Sequence, residues 1–181
     1  MSVTTLPWGR SLTAEDLAAM PDDGHRYELI DGALIVTPSP SREHQLCAGK
    51  VYIDLVAACP DHLRVAFAPL DVTYARETVL QPDILVVERE GFFDKDHPLR
   101  PLLAVEVLSP STRLIDLNTK KARFEEAGCA SYWVIDPIAL RLMAWDLVAG
   151  AYQLVADVAA GDEWTATLPF PVTLAPGSLL D

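Results

Sequence analysis

The sequence has no apolar run close to the ~20 residues needed to cross a bilayer, and its first residues lack a basic stretch followed by an apolar one. A soluble protein of the cytoplasm, with no membrane partner, is the expectation. Cysteine is scarce: Cys47, Cys59 and Cys129 are odd in number and widely spaced, so neither a disulfide framework nor a zinc or redox pair fits, and reduced core thiols are expected. Nine glycines spread singly exclude a glycine-rich phosphate loop. No Gly-x-Ser-x-Gly elbow is present, which sets serine hydrolysis aside despite Ser41, Ser109 and Ser111. Positive charge is also in short supply, with 14 Lys and Arg against 26 Asp and Glu, a net charge of −12. That balance argues against the broad basic footprint of most nucleic-acid binders.

What remains is a chain of 181 residues, half of them hydrophobic, without repeat or linker, which fits one domain able to bury a core. Residues 1–10 read as a loose arm and 11–181 as a single domain. The stretch Leu102-Leu-Ala-Val-Glu-Val-Leu-Ser-Pro110 reads as a strand covered on both faces. Glu106 interrupts it on the face shared by Leu102, Ala104 and Leu108, where a carboxylate costs several kcal/mol unless something neutralises it. Such a group is kept chiefly to ligate a metal, pair with a cation or titrate.

Along the chain, Thr13-Ala-Glu-Asp16 resembles a capping box opening a short helix that ends before Pro21. Asp31-Gly32 between two apolar runs predicts a hairpin, with Glu28 on its first strand. Pro38-Ser-Pro-Ser41 caps a helix running to about Ala58, whose inward face takes His44, Ala48, Val51 and Leu55. A strand from Val65 to Tyr74 and another from Asp83 to Val87 follow, then a surface loop over 88–100. After the central strand comes a helix from Leu114 to Ala127 ended by Gly128, with Lys120 inside the apolar arc of Leu117, Phe124 and Ala127, while Lys121 lies at its edge. Strand 132–135 completes a parallel strand-helix-strand unit. A hairpin lies around Gly150, and the proline-bearing tail 164–180 covers an edge or the core.

Asp83 and Glu106, on neighbouring strands, can share a divalent ion with oxygen ligands, which suits Mg²⁺ because it keeps several waters. A lysine among core-facing positions needs an anionic partner, and Lys120 can hold or deprotonate an attacking water. This is the apparatus of metal-assisted phosphodiester hydrolysis.

The same residues carry a resemblance. Pro82-Asp83 followed by Glu106-Val-Leu108 resembles the PD-(D/E)XK, restriction-endonuclease-like superfamily, with Leu108 where a lysine is expected. Arg26-Tyr-Glu-Leu-Ile-Asp-Gly32, Gln81-Pro-Asp-Ile84, Val105-Glu-Val-Leu-Ser-Pro-Ser-Thr112, Asp116 with Lys120, and Tyr132-Trp-Val-Ile-Asp-Pro137 together resemble the bacterial Uma family of that superfamily, over about residues 12 to 146. The resemblance implies an α/β restriction-endonuclease-like fold: a mixed central sheet flanked by helices, with an N-terminal hairpin closing one side. It implies an endonuclease acting on DNA with Mg²⁺ or Mn²⁺, held by Asp83 and Glu106, with Lys120 moved from strand to helix as the catalytic lysine. Glu28 and His44 match further polar positions: Glu28 as another metal ligand, His44 as a phosphate or proton-handling group. A homodimer, or a cleft lined by Arg26, Arg42, Arg113 and Lys120, would reconcile that substrate with the acidic total. The rival expectation is a nuclease-type fold without catalysis, binding nucleic acid or protein.

Overall fold

The computed structural model describes residues 9–94 and 98–181, so residues 1–8 of the expected arm and residues 95–97 of the expected surface loop lie outside the described residues. Helix α1 (Ala14–Ala18) opens with Asp16 Oδ2 accepting the Thr13 backbone N–H at 2.9 Å, the capping contact its sequence suggests. Strands β1 (Arg26–Ile30) and β2 (Ala33–Thr37) form the hairpin. Its turn residues Asp31 and Gly32 have φ of 51° and 79°, the left-handed conformation that a two-residue turn of this type requires.

Ser41 caps α2 (Arg42–Ala58), accepting from the His44 backbone N–H at 3.2 Å, and the buried stripe of this helix is His44, Cys47, Val51 and Leu55. The stretch expected as one strand over 65–74 is two. It breaks at Pro69, which has no N–H for a ladder, into β3 (Leu63–Phe67) and β4 (Val72–Ala75), and these lie in different sheets. Strand β5 (Thr78–Leu80), unforeseen because three residues show no periodicity, joins β4 to the hairpin in a four-stranded sheet ordered β2-β1-β5-β4.

The larger sheet has six strands. They are β3, β6 (Ile84–Glu88), β7 (Leu103–Val107), β8 (Ser131–Asp136), β9 (Arg141–Val148) and β10 (Ala151–Val158), in the order β10-β9-β8-β7-β6-β3. The sheet is mixed: β7 and β8 run parallel, and the other pairs are antiparallel. The connection from β7 to β8 is not the uniform helix expected. Ile115–Lys120 is a π-helical segment, followed by α3 (Lys121–Glu126) and by Gly128 at φ 79°.

Alternation along β7 and β8 builds two cores. Leu103, Val105, Val107, Trp133 and Ile135 face α2 and the chain's end, where β11 (Trp164–Ala166), β12 (Val172–Leu174) and a 3-10 turn (Pro176–Ser178) deliver Phe170, Val172 and Leu179. The tail thus covers the core, one of the two placements expected of it. Ala104, Tyr132 and Val134 face the other way, onto Phe124 of α3 and onto Ile30 and Leu80 of the smaller sheet. Each fully buried large apolar side chain contributes roughly 1.5–3 kcal/mol. Glu106 points to this second face, into the wedge between the two sheets. Cys47 and Cys129 are buried and Cys59 half-buried, all as free thiols. Among the described residues, no helix is long and apolar enough to cross a membrane.

Candidate active site

Three strands and one helix converge on a layer of buried charge. Asp83 stands just before β6 and Glu106 within β7. Because Ile84 pairs with Val105, the two acids occupy the next rung and project to one face. Glu28 comes from β1 and Lys120 from the last position of the π-helical segment. Glu28, Glu106 and Lys120 are at most 1% exposed, and Asp83 is 5% exposed.

Lys120 Nζ lies 2.8 Å from Glu28 Oε1, 3.1 Å from Glu106 Oε1 and 3.6 Å from Asp116 Oδ1. One ammonium therefore faces three carboxylates. Gln81 N–H also donates to Glu28 Oε1 at 2.8 Å. Thr112 Oγ1 donates to Asp116 Oδ2 at 2.7 Å, and Tyr132 OH donates to the Asp116 carbonyl at 2.8 Å, fixing the π-helical segment to β8. The inward turn expected of Lys120 is present, and Asp116, four residues before it, is buried on the same side. Lys121 instead places its ammonium 4.7 Å from the centre of the Trp145 ring, outside the site.

Asp83 has different company. Arg26 Nη1 donates to its Oδ1 at 2.7 Å, while Oδ2 accepts the Val107 backbone N–H at 2.8 Å and lies 3.2 Å from His44 Nε2. Arg26 was visible in the sequence two residues before Glu28, a spacing that puts both on one strand face. Its Nε is 3.5 Å from Glu28 Oε2, so it links the two carboxylates.

These surroundings set the charges. Burial pushes the Asp83 carboxyl up, but the hydrogen bond with His44 and the charges of Arg26, His44 and Lys120 outweigh it and bring it down to about 2. Burial pushes Glu106 well above the ordinary carboxylate range; Lys120 opposes that, and the nearby Asp116, Asp83 and Glu28 add to it. Asp116 is raised in the same way, against Lys120 and Thr112. Burial lowers Lys120, but the charges of Glu106, Glu28 and Asp116 more than reverse this, so it stays an ammonium.

A cleft of about 710 Å³ opens above Asp83. Arg26, His44, Asp83 and Thr112 reach it, whereas Glu28, Glu106, Asp116 and Lys120 lie in the layer behind. The basic lining envisaged from the sequence does not form. Lys120 is buried among carboxylates, Arg113 Nη1 pairs with Asp136, and neither Arg113 nor Arg42 lines the cleft. The charged side chains of its wall are Arg26 against Asp22, Asp71 and Asp83, with His25 and His44 beside them.

The residues present suit a divalent cation. Four carboxylates against two permanent cations leave two uncompensated negative charges when all are ionised, and Glu28 Oε2 and Asp116 Oδ1 are buried without a hydrogen-bond partner. Among the described residues, no three His, Cys, Asp or Glu side chains form a ready cage, so the fit is to an ion held by one or two carboxylates and water.

No curated protein matches the chain. A solved structure, described as "a putative nuclease belonging to DUF820" from Anabaena variabilis, superposes with a TM-score of 0.74 over 93% of this chain and 97% of its own, at 18% sequence identity, which shows a shared fold. The family model Uma2, described as "Putative restriction endonuclease", matches residues 14–178, nearly the whole chain, and the protein therefore belongs to the Uma2 family.

Proposed function

We propose that the protein is a Mg²⁺-dependent endonuclease, also served by Mn²⁺, that hydrolyses DNA phosphodiester bonds in the cleft above Asp83. The family's description, "Putative restriction endonuclease", and the fold shared with a structure described as "a putative nuclease" support the nuclease reading. The observation that carries the finer reading is the pairing of Asp83, at the floor of an open cleft, with Glu106 on the adjacent strand, in a buried layer with surplus negative charge just behind that floor. Asp83 and Glu106 would hold the ion. It would supply a polarised water and offset charge on the phosphate, and Glu28 would stand as a further carboxylate.

The chain's own groups divide the remaining work. Arg26 and His44 keep Asp83 ionised and fix both its oxygens. Lys120, protonated, holds Glu28 and Glu106 in place and counters charge that develops at the phosphate, rather than removing a proton from water. His44 also lines the cleft with its Nε2 against Asp83, placed to bind a phosphate or pass a proton.

The test is cleavage of plasmid and oligonucleotide DNA in Mg²⁺ or Mn²⁺ by wild type, Asp83→Ala and Lys120→Ala. Loss of on the order of 10²-fold or more is expected in each variant. Unchanged cleavage in both would sink the assignment. A second reading, a nuclease fold kept as a binding module, is favoured by one observation: Lys120 Nζ already stands among the carboxylates an ion would use. Thermal melts decide between the two. Metal-dependent stabilisation of wild type that is lost in Glu106→Gln supports the enzyme, and indifference to both ions supports the module.

A further inference from the structure

We infer that the cleft accepts an unpaired DNA strand rather than a duplex; this rests on the nuclease reading above and names its substrate class. A duplex presents phosphates outward and hides its base faces, so proteins that grip one neutralise several phosphates with lysine and arginine. Here the cleft wall carries Asp22, Asp71 and Asp83 against Arg26 alone among the permanently charged cations, and Arg26 is already committed to Asp83 and Glu28. Elsewhere on the described surface, Arg10, Arg76, Arg113, Arg123 and Arg141 each pair with a carboxylate. The cleft wall thus offers no continuous cationic track to a double helix, and Arg42, Arg64, Arg89 and Arg100 lie outside its lining.

The walls offer something an unpaired strand can use. Leu17, Met20, Pro137 and Ile138 all contribute to the lining of the cleft, with Ile138 77% exposed. These apolar surfaces suit base faces, which only an unstacked strand exposes. The lining also carries the hydroxyls of Ser109 and Ser111, 3.0 Å apart, neutral groups able to hydrogen-bond base edges or a phosphate without a basic track. The volume, about 710 Å³, is that of a pocket enclosing a small ligand, the scale of a nucleotide or two. A duplex keeps its base faces stacked, so it could not engage these apolar walls without unpairing.

The experiment compares cleavage, in Mn²⁺, of a labelled single-stranded oligonucleotide, the blunt duplex of the same sequence and a hairpin with a ten-nucleotide loop. The expected result is kcat/KM at least about tenfold higher on the single strand, with hairpin cuts confined to the loop. Ile138→Asp, a change on the exposed wall, should raise KM for the single strand several-fold with the melting temperature unchanged. KM should depend only weakly on salt, as contact with about one or two phosphates implies. Equal or faster cutting of the duplex overturns the inference and leaves the nuclease reading standing. Cleavage of none of the three, with no binding by fluorescence anisotropy, overturns both.

Discussion

Asp83 and Glu106 are neighbours on adjacent strands and both are buried, yet their protons are held in opposite senses. The floor of the cleft gives Asp83 an arginine, a histidine and a backbone N–H, and its carboxyl falls to about 2. The layer behind gives Glu106 one lysine shared with Glu28 and Asp116, and its carboxyl rises. Burial alone therefore does not set the charge of a carboxylate. The ratio of cations to anions around it does, and that ratio changes within a single rung of the sheet. The deficit of positive charge lies in the inner layer, beside the place where a divalent ion would have most to neutralise.

The sharpest way to break this contrast is Lys120→Met, which leaves Glu28, Glu106 and Asp116 buried with no ammonium. A loss of about 3–5 kcal/mol in urea unfolding at neutral pH is expected, smaller at pH 5, where the carboxylates take up protons. A loss below 1 kcal/mol would show that the three acids are not charged together. Next comes the acid limb of Asp83. Its folded value, about 2, lies below the unfolded 3.8, so the stability it contributes is present above pH 3.8 and lost as pH falls through 2. The difference amounts to about 2 kcal/mol and should vanish in Asp83→Asn, measured as stability against pH.

Smaller again is Thr112→Val, which removes one donor from Asp116 and should cost about 1 kcal/mol. The smallest effect, with its sign reversed, belongs to Glu106→Gln. Glu106 has a raised folded value, so its contribution is favourable below the ordinary 4.5 and is lost as pH rises through the raised one. The variant should match or exceed wild-type stability at pH 8 without metal, and its stability should fall less as pH rises from 5 to 8. A variant clearly less stable than wild type at pH 8 would place an ionised Glu106 in the apo protein.

Much of this site was legible because it violates patterns. Glu106 interrupts an apolar strand, Lys120 sits in an apolar arc and His44 shares a face with Val51 and Leu55, each a departure that periodicity makes visible. The hairpin at Asp31-Gly32 was legible because positive φ is demanded at both positions. The partners of these residues were not. Arg26 meets Asp83 across 57 positions and Lys120 meets Glu28 across the gap between two sheets, and no local pattern encodes which distant strand will lie alongside. The supposed basic cleft failed for the same reason: whether an arginine lines a cavity or neutralises a neighbour depends on contacts such as that of Arg113 with Asp136. Short elements also escaped. Strand β5 has three residues, and the break at Pro69, signalled by the proline itself, passed as one strand because alternation resumes beyond it.

The π-helical segment Ile115–Lys120 makes the spacing of the chain, and not only its composition, a determinant of the site. Such a segment accommodates one residue more than a regular α-helical turn, and each residue of an α-helix turns the chain by about 100°. Shortening the chain by a single exposed residue, Asn118, would let this stretch relax into α-helix. Asp116 and Lys120 would then stand three residues apart, still on one side of the helix but turned relative to each other, and their contact of 3.6 Å would change although every side chain of the charge layer would still be encoded. A one-residue deletion there should destabilise the protein in urea unfolding by less than removing the lysine does, whereas deletions in the hairpin loop around Gly150 should leave the charge layer intact.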